Sequence, residues 1–171
     1  KTTKLLSISI ENLRGSQLSD FIPYPFNLNH NKAMLDFIEN CTTSKIELPV
    51  MLFLRNTKGY LVECSIIVTC SAVENYPFFV VLLKERSSTR QLALIDEEGL
   101  ILGHSNLLPA LLCSSQNDLR NYNLQEIVPQ FSLELQPYKP IFFSAGESAI
   151  AFVITFKVIK KVTHTVVLFM T

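Results

Sequence analysis

Gln91-Leu92-Ala93-Leu94-Ile95-Asp96-Glu97-Glu98-Gly99-Leu100-Ile101-Leu102-Gly103-His104 is the stretch that decides the fold class of this 171-residue chain. Two apolar runs, Gln91–Asp96 and Leu100–His104, flank Glu97-Glu98-Gly99. A turn that short can join only antiparallel neighbours, and the glycine supplies the backbone freedom the reversal needs. Upstream, the polar segment from Arg86 to Arg90 reads as a linker. Downstream, Asn106–Leu112 and Leu119–Ile127 have helical spacing. Ile141–Phe143, Ala149–Ile159 and His164–Met170 then read as strands, rich in β-branched and aromatic residues.

The first half repeats much of this order, without the opening hairpin. A helix-like stretch ending at Asn12–Leu18 leads into Asp20-Phe21-Ile22-Pro23-Tyr24-Pro25-Phe26. Ala33, Met34, Phe37 and Ile38 then recur at helix spacing between Asn29 and Asn40. Strands are expected over Ile46–Arg55, Tyr60–Cys70 and Phe78–Glu85. Asn56-Thr57-Lys58-Gly59 would turn the first pair, and Ser71–Pro77 would form the second connection, its proline discouraging helix. Ile127-Val128-Pro129-Gln130-Phe131 echoes Phe21–Phe26. The expectation is an α+β chain of two modules, 1–86 and 91–171, each an antiparallel sheet with helices on one face, the first lacking its opening strands.

Composition narrows the function. Fifteen basic and fifteen acidic residues cancel, which argues against a nucleic-acid or anionic-lipid surface. The longest apolar stretch near the end, Ala149 to Ile159, is interrupted by Lys157 and is about half a membrane span. Cys41, Cys64, Cys70 and Cys113 form no C-x-x-C pair, and the three histidines are scattered, so zinc-ligand spacing is lacking. Four unpaired thiols suit a reducing, intracellular compartment. Asn40-Cys41-Thr42 fits the glycosylation pattern, which matters only in a secreted chain. A start at Lys1, with no secretory signal, reads as a fragment of a longer protein.

Three segments resemble PAS domains, and more narrowly the PAS repeats of the protist proteins named after tiny macrocysts. Ile22-Pro23-Tyr24-Pro25-Phe26 followed by His30 is similar to the family's proline segment and the histidine that opens the next helix. Asn56-Thr57-Lys58-Gly59-Tyr60-Leu61-Val62 is similar to a turn between two sheet strands. Ala93-Leu94-Ile95-Asp96-Glu97-Glu98-Gly99-Leu100-Ile101 resembles the opening hairpin of a repeat. The resemblance implies a five-stranded antiparallel sheet with helices over one face. It also implies a sensory or regulatory role, within a larger signalling protein, through ligand binding, dimerisation or partner docking.

The site expectations follow. His30 is the cofactor-pocket candidate, because a histidine at the matching place ligates iron in haem-binding PAS sensors. A histidine there also orders the helix start in haem-free members. The cofactor is left open between none, haem and a small apolar ligand. Neither Cys41 nor Cys113 lies in the Asn-Cys-Arg-type motif of flavin photosensors. No nucleophile elbow, P-loop or zinc-protease motif occurs, and His104 beside Ser105 would point to opposite faces of a strand, so no enzyme is expected. Val80, Leu82, Val153 and Val167 are the candidate interaction surface, for a protein partner or a homodimer through sheet faces. The alternative to a sensor is a structural scaffold of ligand-free PAS folds.

Overall fold

The structure, a computed structural model, describes residues 2–40, 49–74, 76–85, 91–112, 114–129, 140–145, 148–158 and 166–170. Side-chain surroundings are described only as far as Pro129. The chain is mixed α and β with antiparallel sheets, and divides into two compact units. One comprises Lys1–Lys58 with Val62–Ser87, the other Gly59–Leu61 with Ser88–Thr171.

In the first unit, α1 (Thr2–Leu6) and α2 (Ile10–Leu13) precede two 3-10 turns, Leu18–Phe21 and Phe26–Asn29, and α3 (His30–Asn40). The sequence predicts helix-like structure ending over Asn12–Leu18, but α2 stops at Leu13 and Gly15 takes a positive φ of 84°. Local polar groups set these boundaries. The Ser9 hydroxyl accepts the Asn12 N–H at 3.2 Å, which caps α2, and the Asp20 carboxylate accepts the Gln17 N–H at 2.9 Å. The sheet runs β1 (Val50–Arg55), β2 (Leu61–Val73) and β3 (Tyr76–Glu85), in that order.

Ser71–Pro77 is not a separate connection. β2 and β3 stay paired out to Val73 opposite Tyr76, and Glu74 turns the chain at φ 50°. Pro77 is tolerated because β3 is an edge strand, where a missing N–H need not break a ladder. Leu5, Leu6, Phe21, Ile22, Leu54 and Cys64 form the buried core of this unit. Thr57 ties α1 to the β1–β2 turn, its N–H bonding the Leu6 carbonyl at 3.0 Å and its hydroxyl the Ser7 carbonyl at 2.6 Å.

The second unit carries a five-stranded antiparallel sheet in the order β5-β4-β8-β7-β6. Its strands are β4 (Gln91–Ile95), β5 (Ile101–His104), β6 (Pro140–Ala145), β7 (Ser148–Val158) and β8 (Val166–Met170). The opening hairpin forms where the sequence predicts it. Asp96 Oδ1 accepts the N–H groups of Glu98 at 3.0 Å and Leu100 at 2.8 Å, and Gly99 has φ 83°.

Only one turn of each expected helix is helical: α4 (Leu108–Leu111) and α5 (Leu124–Ile127). The start of the second stretch is instead sewn to β5. The Ile101 N–H bonds the Tyr122 carbonyl, and the Asn121 N–H returns to the Ile101 carbonyl, both at 2.9 Å. Ala93, Ile95, Ile101, Leu108, Leu119 and Leu124 are fully buried together. The expected linker between Arg86 and Arg90 lies outside the described residues.

Candidate functional site

Three places gather the chemistry of the described residues. The first is the outer face of the β2–β3 hairpin. Alternate residues of a strand face opposite sides of a sheet. One set, which includes Leu83 opposite Ile66, faces the helices and the Leu54–Cys64 core. The other set on β3 is Tyr76, Phe78, Val80 and Leu82, exposed by 78, 41, 37 and 57%. Their cross-strand neighbours Val73, Ser71, Thr69 and Ile67 extend the strip, and Val73 is itself 60% exposed. Both faces of this hairpin are therefore apolar, and only one is covered. Val80 and Leu82 stand in the middle of the bare strip.

Val153 lies on β7 opposite Pro140, and Val167 on β8 opposite Leu94 and Lys157. Their side-chain surroundings lie outside the described residues.

The second place is the entry to α3. Phe21, Ile22, Pro23 and Pro25 are buried, and the Tyr24–Pro25 peptide is cis. The chain then makes the 3-10 turn Phe26–Asn29 and enters the helix at His30. Asn27 Oδ1 and His30 Nδ1 are both buried atoms without a hydrogen-bond partner. Leaving such atoms unsatisfied is costly, so a site that retains two of them is set apart from an ordinary core. The residues of α3 do not fit a haem, however. Its charged side chains are Lys32, Asp36 and Glu39, with no arginine to meet the carboxylates of that cofactor. An amide oxygen and an imidazole nitrogen suit a small polar, hydrogen-bonding group.

The third place is His104, which the sequence did not single out as a site residue. It is only 1% exposed, yet both ring nitrogens are engaged. The Leu119 N–H donates to Nε2 at 3.0 Å, which assigns the proton to Nδ1, and Nδ1 donates to the Ser105 carbonyl at 2.9 Å. Tyr60 meets the ring edge-on, with centroids 5.7 Å apart.

Asp118 Oδ1 also lies 3.2 Å from Nε2, but that carboxylate belongs to Arg120. The Arg120 side chain donates to both its oxygens, and the Arg120 backbone N–H adds a bond at 3.0 Å. The guanidinium holds the Asp118 carboxyl well below the usual carboxylate range, and Asp118 in turn raises Arg120. Gly59 makes room for that guanidinium: a Cβ there would sit 2.8 Å from Nη1.

Ser105 is not a nucleophile paired with His104. Its hydroxyl donates to Gln91 Oε1 at 2.8 Å and accepts the Leu92 N–H at 2.9 Å, while the histidine reaches only its carbonyl. Cys64 is buried, its thiol pushed up to about 11 by burial first and by Glu63 second. Among the described residues no three His, Cys, Asp or Glu side chains are placed to hold a metal, and no helix is long and apolar enough to cross a membrane. The signal for His104 was present in the sequence. It lies at the end of the hairpin's second strand, where alternation puts it on the same face as Leu102, and the segment that satisfies it begins only at Asp118.

Compared with known proteins, no family model and no curated protein matches the chain.

Proposed function

We propose that this chain is a non-catalytic pair of PAS-type modules from a larger intracellular signalling protein, acting through protein contacts made by a sheet face. The observation that carries this reading is the bare apolar strip Tyr76, Phe78, Val80 and Leu82, on a sheet whose other face is already covered. The five-stranded antiparallel sheet of the second unit supports the PAS comparison.

A sensor and a scaffold differ in whether a small molecule is held. The second unit favours the scaffold, because its buried histidine is satisfied by its own chain. The first unit favours sensing, because Asn27 Oδ1 and His30 Nδ1 offer a ligand two unused hydrogen-bonding atoms. Native mass spectrometry of the chain separates them. An added mass that is lost on unfolding and on His30→Ala establishes ligand sensing at the α3 entry. A bare protein mass removes the ligand and leaves the scaffold.

A further inference from the structure

We infer that His104 is a proton switch: a proton entering at Nε2 exchanges the Leu119 N–H for the Asp118 carboxylate and loosens the Asp118–Tyr122 segment on β5. The device goes beyond the docking role proposed above. It needs no bound molecule and lies within the second unit.

The ring has two nitrogens and three partners. These are the Ser105 carbonyl at 2.9 Å from Nδ1, and the Leu119 N–H at 3.0 Å and Asp118 Oδ1 at 3.2 Å from Nε2. With the proton on Nδ1, the carbonyl and the Leu119 N–H are both satisfied. Asp118 Oδ1 then faces an Nε2 lone pair, with no proton between them. The other neutral form is worse, since it sets Nδ1 against the Ser105 carbonyl and two N–H groups against each other. The doubly protonated ring satisfies the carbonyl and Asp118 together, and the Leu119 N–H is left over. Each state therefore leaves one group unpaired, and the proton decides which. That is the construction of a two-state element.

The charges around the ring favour the second state. Asp118 and Arg120 face it from the segment after α4, and Tyr60 meets it edge-on from the Gly59–Leu61 turn. On β4 the residue opposite His104 is Ala93, which is uncharged. Arg120 is turned to the Asp118 oxygens, and it holds that carboxyl well below the usual carboxylate range. Asp118 is thus an anion throughout the range where histidines ordinarily titrate. It is also half-exposed, which gives a proton a path from water to a ring that is otherwise buried.

The exchange has a mechanical result. Leu119 is fully buried in the core, so its displaced N–H cannot turn to water without moving the backbone. The next residues hold β5, through the Asn121 N–H on the Ile101 carbonyl and the Ile101 N–H on the Tyr122 carbonyl. Those two bonds are where the displacement falls.

The test is ring nitrogen-15 NMR of the whole chain between pH 8 and pH 5, with circular dichroism confirming the fold at each step. His104 should carry its proton on Nδ1 alone at pH 8 and on both nitrogens at pH 5. The Leu119 amide proton should move upfield with the same midpoint, as its hydrogen bond is lost, and the amides of Ile101 and Asn121 should follow. Asp118→Asn, at a half-exposed position, should bind the proton roughly tenfold more weakly and lower the midpoint accordingly. A ring still neutral at pH 5, or a chain that unfolds before the ring takes its proton, overturns the switch. Protonation that leaves the Leu119 amide unmoved overturns the exchange of partners. An unchanged midpoint in Asp118→Asn overturns the role of that carboxylate.

Discussion

The β2–β3 hairpin of the first unit and the β4–β5 hairpin of the second have similar raw material and different fates. Both are apolar on successive residues, and both reverse through a residue of positive φ, Glu74 in one and Gly99 in the other. On β4, Leu92, Ala93, Leu94 and Ile95 are all buried, so neither face of the strand meets water. On β3, the even-numbered residues from Tyr76 to Leu82 are exposed while Leu83 packs inward.

The buried polar groups divide in the same way. His104 is satisfied at both nitrogens, whereas Asn27 and His30 each retain an unused buried atom. One hairpin is finished by its own chain, and the other leaves something for another molecule to finish. Apolar content alone does not distinguish a core from a docking face. The burial of alternate residues does.

The comparison is most easily broken by truncation. Ile101→Ala, in the fully buried cluster, should cost about 3 to 4 kcal/mol, whereas Leu82→Ala on the bare strip should cost no more than about 0.5 kcal/mol at low micromolar concentration. Urea unfolding followed by circular dichroism measures both. Equal costs would mean that the strip is part of a core.

A second probe concerns the polar half of the contrast. His104→Ala should cost about 2 to 3 kcal/mol, since it opens a cavity and strands the Leu119 N–H. Amide exchange at Leu119 is the specific readout, because His104→Ala should speed it by more than the loss of global stability alone accounts for. His30→Ala, by contrast, removes one of the unpartnered atoms and should leave stability nearly unchanged, unless a ligand is bound.

The smallest effect is acid sensitivity. Arg120 holds the folded Asp118 below its ordinary value of 3.8, so the unfolded chain binds the proton more tightly. Its contribution is therefore complete above about pH 5 and is lost as the pH falls through the depressed value. Because Asp118 is 51% exposed, the contribution is no more than about 0.5 kcal/mol. Asp118→Asn should remove that part of the pH dependence, as urea midpoints at pH 6 and pH 3 would show.

Much of this was legible in the residues. Asp96 and Gly99 specify their turn by side-chain chemistry confined to five residues, and the apolar spacing after Asn29 specifies α3 from His30 to Asn40. Readings failed where a distant segment competed. Leu119–Ile127 has helical spacing, but its first residues bond to Ile101, so helix survives only from Leu124. The strand expected from Phe78 begins at Tyr76 instead, because the place of Pro77 on an edge strand depends on β2 and β1, not on its neighbours in sequence. The α3 entry was legible as a place, through His30. The unpartnered Asn27 oxygen beside it was not, since an asparagine before a helix is ordinarily read as a cap.

The position of β8 has a consequence in time. It is the last strand of its unit in chain order, yet it lies between β4 and β7 in the sheet. The opening hairpin can close as soon as His104 has been made, but the inner edge of β4 has no partner until Val166–Met170 arrives. About 70 residues separate Ile95 from Val166, and a ribosome adding about 5 to 20 residues per second needs roughly 4 to 14 s to supply them. For that interval an apolar strand edge stands open on the nascent chain. The unit's most hazardous moment therefore falls during synthesis, when chaperone cover has the most to protect.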